Sequence, residues 1–348
     1  MSGQDTTGDH TSKAVPGECR PAIPAPRTAA VRLQLLQEQE LALEAYADAT
    51  NDAGPWQWVA QQLGVLEQHP PLPFRVPAWY FETEPPPNPP TISIVTPMLN
   101  GAQFVRFTLE SVLGQAYPSL EYVVQDGGST DDTLEIVERY RSGLAAFNSE
   151  WDAGMAQALN RGFSHTTGEL MAYLNADDVL LPGTLHVVAG YFAAHPEVDV
   201  VYGHRVLIDA NHQEIGRWVL PPHDGRMLSL TDYVPQETVF WRRSIWERSG
   251  GQMDESFKFA LDWDLLLRFR DAGARFVRLP RFLAAFRVHP GQKTATELTG
   301  IGAEEIRSIR EREAGRPIAP AEIRQLLAPY VSRHKLYHKL YRMGALPY

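Results

Sequence analysis

The chain has 348 residues, 44% of them hydrophobic, which is enough for one large α/β domain with additions or for two domains. A formal net charge of -10 argues against a nucleic-acid binder, which normally shows a basic face, but leaves room for an anionic small substrate if a cation or local basic residues offset the repulsion. Cys19 is the single cysteine, so an intrachain disulfide and a cysteine-built metal site are excluded, and the composition fits a reducing compartment.

The first residues, MSGQDTTGDHTSK, hold no apolar signal core, and no stretch approaches the ~18 apolar residues of a spanning helix. A soluble, cytoplasmic protein is expected. Residues 1–28 are polar and then Pro-rich and read as a disordered tail. Residues 29–90 read as a helical and Pro-rich extension. VRLQLLQEQELALEAYADAT (31–50) predicts a helix, with Leu36 and Leu43 two turns apart. Prolines 70, 71, 73 and 77 and then EPPPNPP (84–90) predict a stiff connector or a wrap over a surface, with the main boundary near residue 90.

From Thr91 onwards strands and helices alternate. TISIVTP (91–97) is a β-branched run, followed by Val105, Leu109 and Val112 at helical spacing. LEYVVQD (120–126) is a second strand, and Leu134 with Val137 marks a second helix. Met155, Ala158, Leu159, Gly162 and Phe163 form one helical face. ELMAYLN (169–175) is a strand, Leu185, Val188, Ala189 and Phe192 a helix, and DVVYG (199–203) a strand. Such βα units predict an α/β fold with a mostly parallel central sheet flanked by helices. Strands are expected at 205–209, 214–219, 275–279 and 283–288, with a helix from Asp262 to Ala272 between them. Residues 301–348 read as a helical tail, with Ile323, Leu326, Leu327, Tyr330 and Val331 on one side. Its end is basic through Arg333, Lys335, Lys339 and Arg342, which suits packing on the main domain or peripheral contact with an anionic membrane surface.

In open α/β sheets ligands bind beyond the carboxyl ends of the strands. Three predicted ends are polar: TPMLNGA (96–102), DGGSTDDT (126–133) and YLNADD (173–178). In the second, Gly127 and Gly128 keep the backbone open and Ser129 or Thr130 can cap the next helix. In the third, Asp177 and Asp178 either open a solvated turn or hold something positive.

The run from SIVTPMLNGAQF through DGGSTDDT, WDAGMAQALNRGF and YLNADDVLLPGTL resembles the family 2 glycosyltransferases of GT-A fold. The likeness continues through FWRRSIWERSGGQMDESFKFALDWDLLLRF to FRVHPGQKT and covers roughly 91–295, inside a predicted GT-A domain at 91–300. It implies a nucleotide-sugar donor, an acceptor that is a polysaccharide or lipid-linked glycan, inversion at the anomeric carbon, and Mg²⁺ or Mn²⁺. Carboxylates suit such hard cations, which offset charge on a departing diphosphate. The family's Asp-x-Asp falls on Asn175-Ala176-Asp177, which implies Asp177 as direct ligand, Asp178 as helper or ligand, and Asn175 as a partner for ribose or metal-bound water. His289 would complete the metal shell. Asp126 would read the base, a carboxylate suiting the N3–H of uracil and hence a uridine donor, with Thr96, Pro97 and Asn100 on the opposite wall. Leu99 stands where the family often has a base-stacking Tyr.

Asp152 matches an acidic position near the donor, and Gly154 and Gly250-Gly251 would let backbone approach it. Asp262 aligns with the base that deprotonates the acceptor hydroxyl, although Leu261 replaces the usual Glu. Arg287 and Lys293 would neutralise the diphosphate or lie on the surface, and Gln236, Arg242 and Arg243 are candidate acceptor contacts. Two rivals stay open. A nucleotidyltransferase would need a basic Gly-rich loop where TPMLNGAQF stands, and a silent nucleotide- or glycan-binding module would not need Asp177 and Asp262 together.

Overall fold

The computed structural model describes Gln34, Gln37, residues 68–298 and residues 300–348. The tail expected at 1–28 lies outside the described residues, as does the helix expected at 31–50 apart from Gln34 and Gln37, which are helical. A two-residue strand β1 (Leu72–Pro73) comes first. The alternating part runs β2 (Ile92–Met98), α1 (Val105–Leu113), β3 (Leu120–Asp126), α2 (Thr133–Glu138), β4 (Ala146–Ser149), α3 (Met155–Ser164), β5 (Leu170–Tyr173), β6 (Val179–Leu180), α4 (Thr184–Ala194) and β7 (Val200–Ile208). Then come β8 (Gln213–Trp218), α5 (Gly225–Leu228), β9 (Phe240–Arg242), α6 (Arg243–Arg248), α7 (Leu261–Asp271) and β10 (Phe276–Arg287). The chain ends with α8 (Lys293–Thr296), α9 (Ile301–Ala314) and α10 (Pro320–Arg342).

The strands are apolar on both sides because helices cover both faces of the sheet. Along β2, Ile92 and Ile94 point into a core shared with Leu109, Val112 and Leu185, whereas Val95 points into a second core with Leu159, Phe163 and Trp263. β3 and β5 repeat the alternation: Tyr122, Val124, Leu170 and Ala172 on one face, Val123, Met171 and Tyr173 on the other. The sheet order is β1-β8-β7-β9-β5-β2-β3-β4, and β5, β2, β3 and β4 are parallel neighbours. Their register sets Met98 opposite Asp126 and Asp126 opposite Ser149, so three strand ends open at one level. Antiparallel β9 separates β5 from β7, and β10 lies parallel to β7.

Two pairs of expected strands are each one strand here. The segments at 199–203 and 205–209 form the single β7, and those at 275–279 and 283–288 form β10. Pro280 reads as a break, but β10 continues past it through register shifts opposite β7 between Arg278 and Ala284. The short strands β4, β6 and β9 were not foreseen, since two to four residues carry too little periodicity.

The Pro-rich stretch is a wrap. β1 pairs with β8, and Tyr80, fully buried, accepts the N–H of Phe282 at 3.2 Å. The same region packs the chain's end, where Tyr337, Leu346 and Tyr348 share a core with Tyr80 and Phe282. In α10, Tyr330, Val331 and Tyr337 are buried; Leu326, expected on the packed side, is 41% exposed.

Candidate active site

The loop after β3 is shaped by Asp126. Its Oδ2 accepts from the N–H groups of Gly128 and Ser129 (2.9 Å each) and from Ser149 Oγ (2.7 Å), and its Oδ1 from Ser129 Oγ (2.5 Å). The side chain is fully buried, so the expected contact of this carboxylate with a base is not open: its oxygens are spent on the loop. Asn100, with φ 52°, faces the same loop. Its N–H donates to Ser129 Oγ (2.7 Å) and its Oδ1 accepts from Thr130 N–H (2.9 Å). Thr96 is also corrected: fully buried, its hydroxyl pairs with Tyr122 at 2.9 Å, so its side chain is core rather than wall. Pro97 is buried beside it. Leu99 and Trp151 flank the loop and are 60% and 75% exposed.

Asp152 stands against this loop. A Cβ on Gly127 would lie 2.6 Å from Asp152 Oδ2, so only glycine admits the carboxylate there. Asp152 Oδ1 accepts the N–H of Gly154 at 2.8 Å, and Gly154 (φ 136°) leads into α3. Above it, Lys258 Nζ donates to the carbonyl of Ala153 at 3.1 Å. Nothing in the sequence singled out Lys258, because a lysine between two phenylalanines carries no motif.

The turn after β5 splits its two aspartates. Asp177 is partly exposed, and its Oδ2 lies 3.0 Å from His289 Nε2. Residues 112 positions apart thus meet, as expected. Asp178 does not join them. It is 1% exposed, its Oδ1 accepts the N–H of Arg287 at 2.9 Å, and its Oδ2 has no partner. Burial, then the charges of Asp177 and Glu237, push its pKa well above the usual carboxylate range. Asp178 therefore fastens the strand that leads to His289 and is no direct ligand. Among the described residues no group of three or more His, Cys, Asp or Glu side chains is set to hold an ion. A carboxylate oxygen nonetheless suits Mn²⁺ or Mg²⁺, and an added imidazole nitrogen suits Mn²⁺ better than Mg²⁺; at phosphate sites such ions take their other ligands from substrate and water.

Arg287 is likewise corrected. It is fully buried, with Nε on the carbonyl of Asp177 (2.8 Å), Nη1 on that of Asp209 (3.0 Å) and its guanidinium 4.6 Å from the Phe104 ring. It holds the turn's backbone and has no face left for a diphosphate. Lys293 Nζ donates to the carbonyl of Lys258 at 3.1 Å. Asn175 donates to Gln236 Oε1 at 3.2 Å, while its own Oδ1 is buried without a partner, an acceptor with unused capacity. Gln236 in turn donates to the carbonyl of Tyr173 at 2.9 Å, tying the 235–238 turn to the end of β5. Arg242 and Arg243 lie elsewhere: Arg242 pairs with Leu170 at the start of β5, and Arg243 donates to the carbonyl of Gly168 at 2.8 Å. Gly250 and Gly251 (φ 112° and 67°) end α6, where Gly251 N–H closes on the carbonyl of Trp246 at 2.8 Å.

Asp262 opens α7, where the helix dipole favours an anion. Its Oδ1 accepts the N–H of Trp263 at 2.9 Å, and the side chain stays partly exposed. Burial pushes its pKa up to about 6 against these hydrogen bonds, with the Arg205 charge lowering it and the Glu237 charge raising it. Glu237 itself is 2% exposed and grips Arg205 by two parallel contacts, Nε to Oε1 at 2.7 Å and Nη2 to Oε2. Sequence reading missed this pair and also Asp232. Asp232 is exposed, and the surrounding protein, then the charge of Asp262, pushes its pKa upward while the Arg205 charge opposes the shift. Contacts thus run from the Asp126 loop through Asp152 to Lys258, three residues before the head of α7, while Gln236 joins the end of β5 and the charge of Glu237 acts on both Asp262 and Asp178.

Residues 93–247 match the model of Glycosyl transferase family 2. A PGL/p-HBAD biosynthesis glycosyltransferase of Mycobacterium bovis is 31% identical over 183 residues, which span 51% of this chain and 69% of that one. The O-antigen biosynthesis protein RfbC of Myxococcus xanthus is 29% identical over 67% of this chain and 19% of its own. Among solved structures, S. aureus TarS 1–349 in complex with UDP-GlcNAc aligns with a TM-score of 0.54 at 21% identity, covering 71% of this chain and 73% of that one. This chain spans 43% of the longer TarS chain. The mannosyltransferase PcManGT from Pyrobaculum calidifontis, in complex with GDP-Man and Mn²⁺, has a TM-score of 0.53 at 21% identity and covers 91% of this chain and 83% of that one. At that identity the structural likeness establishes the GT-A fold, and the sequence match to the mycobacterial enzyme carries the conclusion further. The chain belongs to the family 2 glycosyltransferases.

Proposed function

We propose that this protein transfers a sugar from a nucleoside diphosphate to an acceptor hydroxyl with inversion, in polysaccharide or lipid-linked glycan synthesis. The observation that carries the reading is Asp262, a partly exposed carboxylate at a helix head whose pKa of about 6 suits a base working near neutrality. In the transfer the acceptor oxygen bonds to the anomeric carbon as the bond to the leaving diphosphate breaks, and the hydroxyl proton passes to Asp262. Asp177 and His289 are the residues that would hold Mg²⁺ or Mn²⁺, which when bound neutralises the leaving diphosphate. The spare acceptor capacity of the buried Asn175 Oδ1 supports a role for Asn175 towards a ribose hydroxyl or a metal-bound water. Asp126 acts through the loop it shapes, and Asn100, Asp152 and Gly154 border the donor. The names of relatives and neighbours, which speak of glycan assembly, UDP-GlcNAc, GDP-Man and Mn²⁺, support this reading. A cytoplasmic location, with peripheral membrane contact through exposed Arg333, Lys339 and Arg342, belongs to the same proposal.

The test is nucleotide release from a panel including UDP-N-acetylglucosamine, UDP-glucose and GDP-mannose with Mn²⁺, for wild type and Asp262→Asn. Turnover lost in the variant supports the reading. Binding without turnover in wild type would point to a silent module, and pyrophosphate exchange with a nucleoside triphosphate to a nucleotidyltransferase.

A further inference from the structure

The segment 258–260 immediately ahead of Asp262 is held by a carboxylate from outside the matched family region. Glu305, on α9, accepts three consecutive backbone N–H groups: Lys258 on Oε1 at 2.7 Å, and Phe259 and Ala260 on Oε2 at 2.9 and 2.8 Å. These donors precede the first turn of α7, where unpaired N–H groups would otherwise need solvent or another acceptor. The approach is built in. Gly302, one turn earlier on α9, has no Cβ; an added one would sit 2.9 Å from the Phe259 ring. The rest of α9 is stitched to α7 by charge: Arg312 Nη1 on Asp264 Oδ1 at 2.7 Å and Glu313 Oε2 on Arg270 Nη2 at 2.7 Å. The same strap is held from the donor side, through Lys293 Nζ on the Lys258 carbonyl (3.1 Å) and Lys258 Nζ on that of Ala153 (3.1 Å).

We infer that Glu305 is a positioning residue for the transfer step: it sets the strap that aims Asp262 at the acceptor, and α9 is the brace that carries it. The inference rests on the proposed role of Asp262. A charge-assisted acceptor for three donors holds a loop more stiffly than water does. A displacement of about 1 Å at a reacting group costs on the order of 10²-fold in rate. Glu305 is too committed to backbone to touch substrate, so its effect should fall on kcat and leave donor binding alone.

The experiment compares wild type, Glu305→Ala, Glu305→Gln, Gly302→Val and Asp262→Asn in the full chain. It follows nucleotide release with whichever sugar nucleotide of the panel wild type turns over, and amide hydrogen exchange over 258–262. Glu305→Ala is expected to lose about 10²-fold in kcat with KM for the donor nearly unchanged. Amides 258–260 should exchange faster while the sheet stays protected. Millimolar formate, filling the vacated N–H cradle, should restore much of the rate; Glu305→Gln should lose less, and Gly302→Val should reproduce the loss through a different contact. Wild-type kcat in Glu305→Ala, unchanged exchange at 258–260, or a rate loss that follows general loss of protection and ignores formate would each overturn the inference. If Asp262→Asn keeps the wild-type rate, the base assignment fails and takes this inference with it. An inactive Asp262→Asn beside a fully active Glu305→Ala would sink the inference alone.

Discussion

The turn after β5 and the head of α7 each carry two aspartates, and each divides them the same way. Asp177 and Asp262 stay partly exposed, while Asp178 and Asp264 point inward and are 1% exposed. The inward members differ in how their charge is met. Asp178 finds one backbone N–H, has an idle oxygen, and is driven by burial towards its neutral form. Asp264 meets two guanidiniums, Arg268 at 2.8 Å and Arg312 at 2.7 Å. The turn thus uses a carboxyl group as a hydrogen-bonding spacer, and the helix uses one as an electrostatic anchor. A buried acid outside any direct ion pair can be replaced by its amide at little cost, whereas one clasped by two arginines cannot.

Five substitutions sharpen or break that contrast. Asp262→Asn should have the largest effect, a fall of roughly 10²- to 10⁴-fold in transfer with nucleotide affinity retained, measured by nucleotide release and by calorimetry. In wild type the rate should climb as pH rises through about 6 and level off above, because the base must be deprotonated; a profile flat from pH 5 to 8 would count against Asp262. The same raised pKa has the opposite sign for stability. The carboxyl contributes fully below the unfolded value near 4, and that contribution is lost as pH rises through about 6. Next, Asp177→Asn or His289→Ala should raise the Mn²⁺ concentration for half-maximal rate by on the order of 10-fold or more, with Asp178→Asn shifting it far less. Third, Asp264→Asn should lower unfolding free energy by about 2 kcal/mol in denaturant melts, below the cost of breaking a fully buried pair because Arg268 and Arg312 are partly in water. Smallest is Asp178→Asn, expected within about 1 kcal/mol of wild type, since an amide oxygen can still accept from Arg287 N–H. Equal destabilisation by the last two would abolish the distinction between spacer and anchor.

Much of the fold could be read from the residues. The apolar runs 91–97, 120–126 and 169–175 became β2, β3 and β5 within two residues, and Met155 to Phe163 became one face of α3. Strongly periodic segments are dictated locally, so their type survives folding. The site was legible as a set of strand ends and was misread in its individual side chains. Asp126, Asp178 and Arg287 look like ligand-binding groups in a string of letters, yet all three are buried and each is fastened to backbone within the protein. Conversely Glu237, Asp232, Lys258 and Glu305 sit in no motif, and each matters through a partner tens of residues away.

Periodicity, which acts over a few residues, settled the alternating architecture, and the resemblance of the motif series pointed to the family. Which of two adjacent carboxylates meets solvent depends on long-range partners: an N–H from β10 for Asp178, guanidiniums from α7 and α9 for Asp264. Desolvation and pairing are properties of assembled surroundings, so the division between reacting and holding groups appears only once distant segments have packed together.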